Sequence, residues 1–136
     1  SLPTRRSRVR TPLPAPNYVF RFLKWQIYQK KKCVACEGDI PPFDTSEIHK
    51  YLKRVDGWDV ETNDDKSFYL IKDFKFKNFL ESQNFVNKVG NLAEEENHHP
   101  DITFGWGYCK IKIFTHAIKG LAESDFILAA KIDKIN

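Results

Sequence analysis

Three of the four histidines fall in the last third of the chain, as the adjacent pair His98-His99 and the single His116. An unperturbed imidazole titrates at about pH 6.5, so one such group can deliver a proton while another accepts one. Three together would suit general acid–base catalysis, with Glu94 and Asp125 as carboxylates able to orient or charge them. Pro100 restricts His99 to extended backbone, and two histidines on a rigid loop can face one cavity. The same pair also fits an ordinary polar loop. A shared metal ion is a poorer reading, because adjacent side chains diverge and no His-Glu-x-x-His pattern is present. Cys33-Val34-Ala35-Cys36 stands alone, whereas a structural zinc needs four ligands. Redox chemistry would want a helix directly after that pair, and Glu37 to Pro42 reads as loop. No glycine-rich phosphate loop or Gly-x-Ser-x-Gly elbow occurs. Trp106, between Gly105 and Gly107, could offer a flat face to a flat ligand, although burial in the core is the commoner fate of such a ring.

Those residues need elements to position them. Asp44 or Thr45 can cap a helix whose apolar face is Ile48, Tyr51, Leu52 and Val55, with Glu47 as a capping-box partner and Gly57 as the stop. Trp58 to Val60 reads as a short strand, Asn63 to Asp65 as a turn, and Ser67 to Phe76 as a longer strand rich in aromatic and branched residues. Residues 77–96 predict a long helix with Phe79, Val86, Val89 and Ala93 on one stripe, widened by Phe85 and Leu92. Its C-terminal end carries Glu94, Glu95 and Glu96, where the helix dipole disfavours negative charge, and such local conflicts sometimes mark function. Residues 101–106 and 108–115 predict a strand pair. Cys109, Ile111 and Ile113 share one face, Lys110 and Lys112 the other, and His116 joins the lysine face if the alternation continues. Gly120 allows a turn, and residues 123–134 form a last helix with Leu128, Ile132 and Ile135 on one side. The order helix, two strands, helix, two strands, helix predicts an α+β fold, a four-stranded antiparallel sheet with three helices packed on one face.

Bulk properties fit one globular domain of 136 residues, 41% hydrophobic and 29% charged. The net charge of +4 is unevenly spread. Residues 1–36 hold nine of the 22 basic residues and none of the 18 acidic ones, so the remainder is acidic. Charge therefore gives no reason to expect direct nucleic-acid binding by the body of the domain. No apolar run approaches the ~20 residues of a membrane helix. Three cysteines are too few for a disulfide scaffold and suit a reducing compartment. The division expected is a basic Pro/Arg-rich and aromatic extension over 1–32 and a compact domain over 33–136. Four prolines forbid a continuous helix over residues 1–16. That Arg-rich, acid-free stretch reads as a solvated extension, giving a cytoplasmic protein, or as an organelle transit segment. Residues 17–32 are basic and aromatic with an ambiguous period, and could touch a partner or a membrane surface.

Together the spaced residues resemble a known family. Glu94 stands four before His98. His98-His99-Pro100 comes next, then Trp106 seven beyond His99, Thr115-His116 ten further, Gly120-Leu121, and Asp125 nine after His116. This looks like the signature of the pterin-4a-carbinolamine dehydratases. Phe74 to Lys77, Phe85 to Val89 and Asp125 to Asp133 resemble flanking segments of its members, and Cys33-x-x-Cys36-Glu37-Gly38 with Pro41-Pro42 resembles the lead-in of one branch. The resemblance covers roughly residues 33–134. It implies a helix-backed antiparallel sheet assembling into homodimers or homotetramers. It implies dehydration of 4a-hydroxytetrahydropterin to quinonoid dihydropterin, as in tetrahydrobiopterin recycling, without metal or organic cofactor. The family's active-site histidines fall on His98, His99 and His116, its carboxylates on Glu94 and Asp125, and its pocket aromatic on Trp106. In that scheme His98 and His116 flank the carbinol carbon, His99 bonds the pterin edge, and Asp125 caps the last helix. The family also implies a second class of role, stabilising dimers of a transcription factor or assisting the assembly of another enzyme. The departures are Asn97 where many members carry Asp or Gly, Gly107 where Asn is common, and Lys119 in place of a small residue.

Overall fold

The structure, a computed structural model, describes residues 26, 27, 29–33 and 40–136. Helix α1 spans Thr45–Leu52, opened by the Asp44 carboxylate accepting from the Glu47 N–H at 2.8 Å. That bond satisfies one of the orphan donors of the first turn. The helix ends well before Gly57, which takes its positive φ of 71° in the turn ahead of β1. Strands β1 (Asp59–Thr62) and β2 (Phe68–Lys75) form a hairpin. Helix α2 (Phe79–Glu96), strands β3 (Asp101–Gly105) and β4 (Tyr108–Ile113), a 3-10 turn (His116–Ile118) and helix α3 (Glu123–Ile135) complete the α+β order that the residue pattern predicts. The sheet runs β1-β2-β4-β3, with every neighbouring pair antiparallel, so β1 and β3 are its edges.

Alternation along the central strands sets the core. Leu70 and Phe74 of β2, with Cys109, Ile111 and Ile113 of β4, point to the helix side and are buried. Helix α3 is the centre of the domain and is buried on nearly every side from Ser124 to Ala130. The stripe Leu128, Ile132 and Ile135 expected from the sequence is only part of that surface. Helix α2 packs through Ser82, Phe85, Val89 and Ala93. Phe79, expected on the stripe, is instead 46% exposed. Ser82 can take the inner position because its hydroxyl donates to the Asn78 carbonyl (3.1 Å), which leaves no unpaired polar atom against the core.

Two buried polar ties hold the helices to their surroundings. Asp133 of α3 accepts from the Trp58 indole (3.0 and 3.1 Å) and from Lys72 (2.7 Å), which points inward from β2. Glu96, at the end of α2, pairs with Lys131 of α3 and accepts from the Cys33 N–H at 2.9 Å. Burial opposes ionisation of Glu96, but the bonds from Lys131 and Cys33 outweigh it and hold its carboxyl below the usual range.

Phe85→Ala is expected to cost about 3–5 kcal/mol in chemical denaturation, against about 1 kcal/mol or less for Phe79→Ala. Equal losses would contradict the observed helix face. Because its folded-state pKa is depressed, Glu96 stabilises the fold above its ordinary value of 4.5, and that contribution fades as pH falls through and below it. The stability gap between wild type and Glu96→Gln, followed by thermal melts across pH, should therefore close in acid.

Candidate active site

The end of α2 decides where His98 sits. Asn97 adopts the left-handed conformation (φ 51°), its N–H reaches the Glu94 carbonyl (3.2 Å), and the His98 N–H reaches the Ala93 carbonyl (3.1 Å). This is a Schellman closure, which satisfies the orphan carbonyls of the last turn and tolerates Asn at the left-handed position. It turns the chain sharply, so that His98 and His99 leave the helix directly into β3. Register then fixes the neighbourhood. Asp101 lies opposite Lys112, so the histidine pair and the exit of β4 share one end of the sheet.

His116 stands at that same end. Strand β4 stops at Ile113, but its burial alternation runs on, with Thr115 inward and His116 outward. His116 opens the 3-10 turn rather than ending a strand, and its ring packs on Phe114 at 4.1 Å between centroids. Thr115 and Gly120 bond each other's backbone (2.9 and 3.4 Å), closing the loop that carries His116. Gly120 is needed there because Pro42 approaches closely, an added Cβ meeting the Pro42 Cβ at 2.7 Å, rather than for a turn conformation.

Asp125 joins these pieces. Its carboxyl is fully buried, with Oδ1 2.7 Å from His98 Nε2. Oδ2 accepts from the Thr115 hydroxyl (2.9 Å) and from the Ala122 N–H at the start of α3 (2.8 Å). The expected capping role is therefore real, and the same carboxylate holds a histidine. An ionised carboxylate can only accept, so the Nε2–H is the donor in this pair and Nδ1 is the ring nitrogen that does not meet Asp125. Thr115, to which sequence reasoning assigns no role, links Asp125 to the residue preceding His116. Its signal is a polar side chain at an inward position of the β4 alternation.

The second pair has a different character. His99 Nε2 lies 2.7 Å from Glu94 Oε1, but both side chains are exposed, at 55% and 79%. Such a pair is weak and screened. Of the acidic run, Glu94 thus meets His99, and Glu96 is occupied by Lys131 and Cys33. Hydrogen bonds join His98, Asp125 and Thr115 into one set. His116 follows Thr115 in the chain with its ring on the outward side against Phe114, and His99 and Glu94 form a separate exposed pair. The structure does not bring Trp106 to them. Trp106 lies in the turn at the opposite end of the β3–β4 pair, with the whole of β3, ~13 Å from Asp101 to Gly105, between it and the histidine pair. It is 71% exposed, so of the two fates open to it in the sequence, burial in the core is not the one it takes. Gly107 in that turn has φ 79°, and its carbonyl accepts from the Phe76 N–H at 2.9 Å.

Cys33 is a partly buried thiol pushed up to about 12 by desolvation, with the Glu96 charge adding to the shift. Cys36 lies outside the described residues, as does most of 1–32. Among the described residues, no three His, Cys, Asp or Glu side chains converge in a metal-binding arrangement, and no helix is long and apolar enough to cross a membrane.

Known proteins share this organisation. A protein provisionally named pterin-4-alpha-carbinolamine dehydratase from Rubrobacter xylanophilus is 48% identical over 106 residues, covering 78% of this chain and 95% of its own length. One of the same provisional name from Methylococcus capsulatus is 47% identical over 105 residues, covering 77% and 90%. The crystal structure of a transcriptional coactivator/pterin dehydratase from Brucella melitensis superposes with a TM-score of 0.61 at 28% identity, over 69% of this chain and 97% of that one. A pterin dehydratase-like protein described as a RuBisCO assembly factor in the alpha-carboxysome gives a TM-score of 0.50 at 25% identity, over 58% and 88%. The sequence profile described as Pterin 4 alpha carbinolamine dehydratase matches residues 41–135, the span that contains every element from α1 to α3. With that fold, that span and relatives near half identity, the chain belongs to the pterin 4 alpha carbinolamine dehydratase family.

Proposed function

We propose that the protein is a hydro-lyase that converts 4a-hydroxytetrahydropterin to quinonoid dihydropterin and water. The observation that carries this reading is the buried Asp125, bonded at once to His98 and to the residue beside His116. The reaction breaks the C4a–O bond and removes the proton on N5, whose electron pair becomes the C4a=N5 double bond. The hydroxyl leaves as water once protonated. Two proton carriers are required, one for each end of this elimination. His98, held by Asp125, and His116, on its closed loop, are assigned those two tasks. His99, tied to Glu94 in solvent, bonds the edge of the pterin.

Trp106 enters only through assembly. Strand β3 is an open edge, and its end residues flank Pro100 and Trp106. Antiparallel pairing of two copies about Thr103 would lay Trp106 of one copy beside Pro100 of the other, so a homodimer could supply the pocket aromatic. The wider roles named for relatives, coactivator and assembly factor, form a second reading, in which a protein partner replaces the pterin.

The test is ultraviolet measurement of carbinolamine breakdown by purified protein. His98→Ala should lower kcat by about 10²–10⁴-fold with the fold intact by circular dichroism. Asp125→Asn should lower kcat sharply, while Glu94→Gln, which breaks only a solvated pair, should cost about 5-fold or less. Sedimentation should show a dimer or tetramer, with Trp106→Ala raising KM. Wild-type protein no faster than buffer would leave only the protein-partner reading.

A further inference from the structure

The segment 31–33 lies outside the span matched by the family profile, yet it is docked on the domain at three points. The Lys31 ammonium pairs with Glu123 at 3.0 Å. The Cys33 N–H donates to Glu96 Oε2 at 2.9 Å. The Cys33 thiol donates to the Ser124 carbonyl at 3.4 Å. The thiol stays a donor at neutral pH, since burial keeps it protonated. Two of these anchors stand close in the chain to the acid–base pair. Glu96 is two residues before His98, and Ser124 is the residue before Asp125.

The His98–Asp125 pair bridges the end of α2 and the start of α3. Its 2.7 Å separation depends on how those two ends are held relative to each other. One tie is the Glu96–Lys131 ion pair between α2 and α3. A second tie is the segment 31–33, which grips Glu96 on one side and Glu123 and Ser124 on the other. A backbone N–H on a buried carboxylate is a strong, directional tie, because an ionised acceptor shortens and strengthens the bond.

We propose that segment 31–33 is a strap that sets the spacing of the His98–Asp125 pair, with the Cys33 N–H and Glu96 as its positioning contact. The strap touches neither reacting nitrogen nor substrate. It works through the two chain segments that deliver the acid–base pair, and so rests on the catalytic role assigned to that pair above. The geometry also accounts for the acidic residue that ends α2 against the helix dipole: Glu96 is the post to which the strap is fastened.

The experiment uses the full chain. Cys33→Pro removes the N–H together with the thiol, and Cys33→Ala restores the N–H alone. The readouts are kcat and KM for the carbinolamine, and the His98 ring resonances by NMR. A misplacement of about 1 Å at a reacting group can cost ~100-fold, so partial loosening in Cys33→Pro should lower kcat about 10-fold with KM within about 2-fold. The His98 resonances should move, and Cys33→Ala should recover both kcat and the resonances. Glu96→Gln should move the same resonances in the same direction. Unmoved His98 resonances in both Cys33→Pro and Glu96→Gln overturn the strap, even if the melting temperature falls. Shifted resonances in a protein without dehydratase activity would support the strap and defeat the proposed reaction instead.

Discussion

A carboxylate sealed from water must have its lone pairs met by donors, or its burial costs several kcal/mol. Asp125 meets this demand with three donors from three parts of the chain: an imidazole after α2, a hydroxyl after β4, and the N–H that opens α3. Satisfying one buried group therefore fixes the relative positions of a helix exit, a strand exit and a helix start. The sheet supplies the frame, since antiparallel β3 and β4 bring both exits to the same end. Without Asp125 those exits would share an edge of the molecule but no common reference point.

The two histidine–carboxylate pairs have the same 2.7 Å spacing and different consequences. Around Asp125 the surroundings are closed to water, so the pairing is strong and specifies the orientation of His98. Around Glu94 the pair is open to water, so it constrains the His99 ring far less. The two pairs thus give one imidazole held in a fixed orientation and one held only loosely. His116 adds a third imidazole whose backbone, rather than whose ring nitrogen, is held fixed by the Thr115–Gly120 bridge.

Much of the scaffold is legible in the residues because local rules and tertiary needs coincide there. Asp44 caps α1, and the alternation of Cys109, Ile111 and Ile113 gives both the strand and its buried face. The histidines that stand out by their spacing lie just before β3 and just after β4, whose register puts both places at one end of the sheet. What stays hidden is settled by neighbours distant in sequence. Nothing near Ser82 says that it, rather than Phe79, faces the core; the ring that Phe79 meets is Phe104 of the edge strand β3, far along the chain. Trp106 reads as a core ring or as a ligand-facing one, and its neighbours alone do not decide between them; the turn between β3 and β4 leaves it exposed. The Glu94 to Glu96 run reads as one acidic patch, yet Glu94 meets a histidine five residues on, while Glu96 meets Lys131 and Cys33, 35 residues downstream and 63 upstream.

Family membership suggests which substrate to offer, and the proposed roles of His98 and His116 say which edge of it they would face. A crystal structure of the protein with bound dihydropterin product tests this most directly. The expected result is the C4a–N5 edge of the ring facing Nδ1 of His98, with His116 on the other side of the same edge and the His98–Asp125 bond intact. A pterin bound elsewhere on the domain, or seated with that edge turned away from both imidazoles, would contradict it.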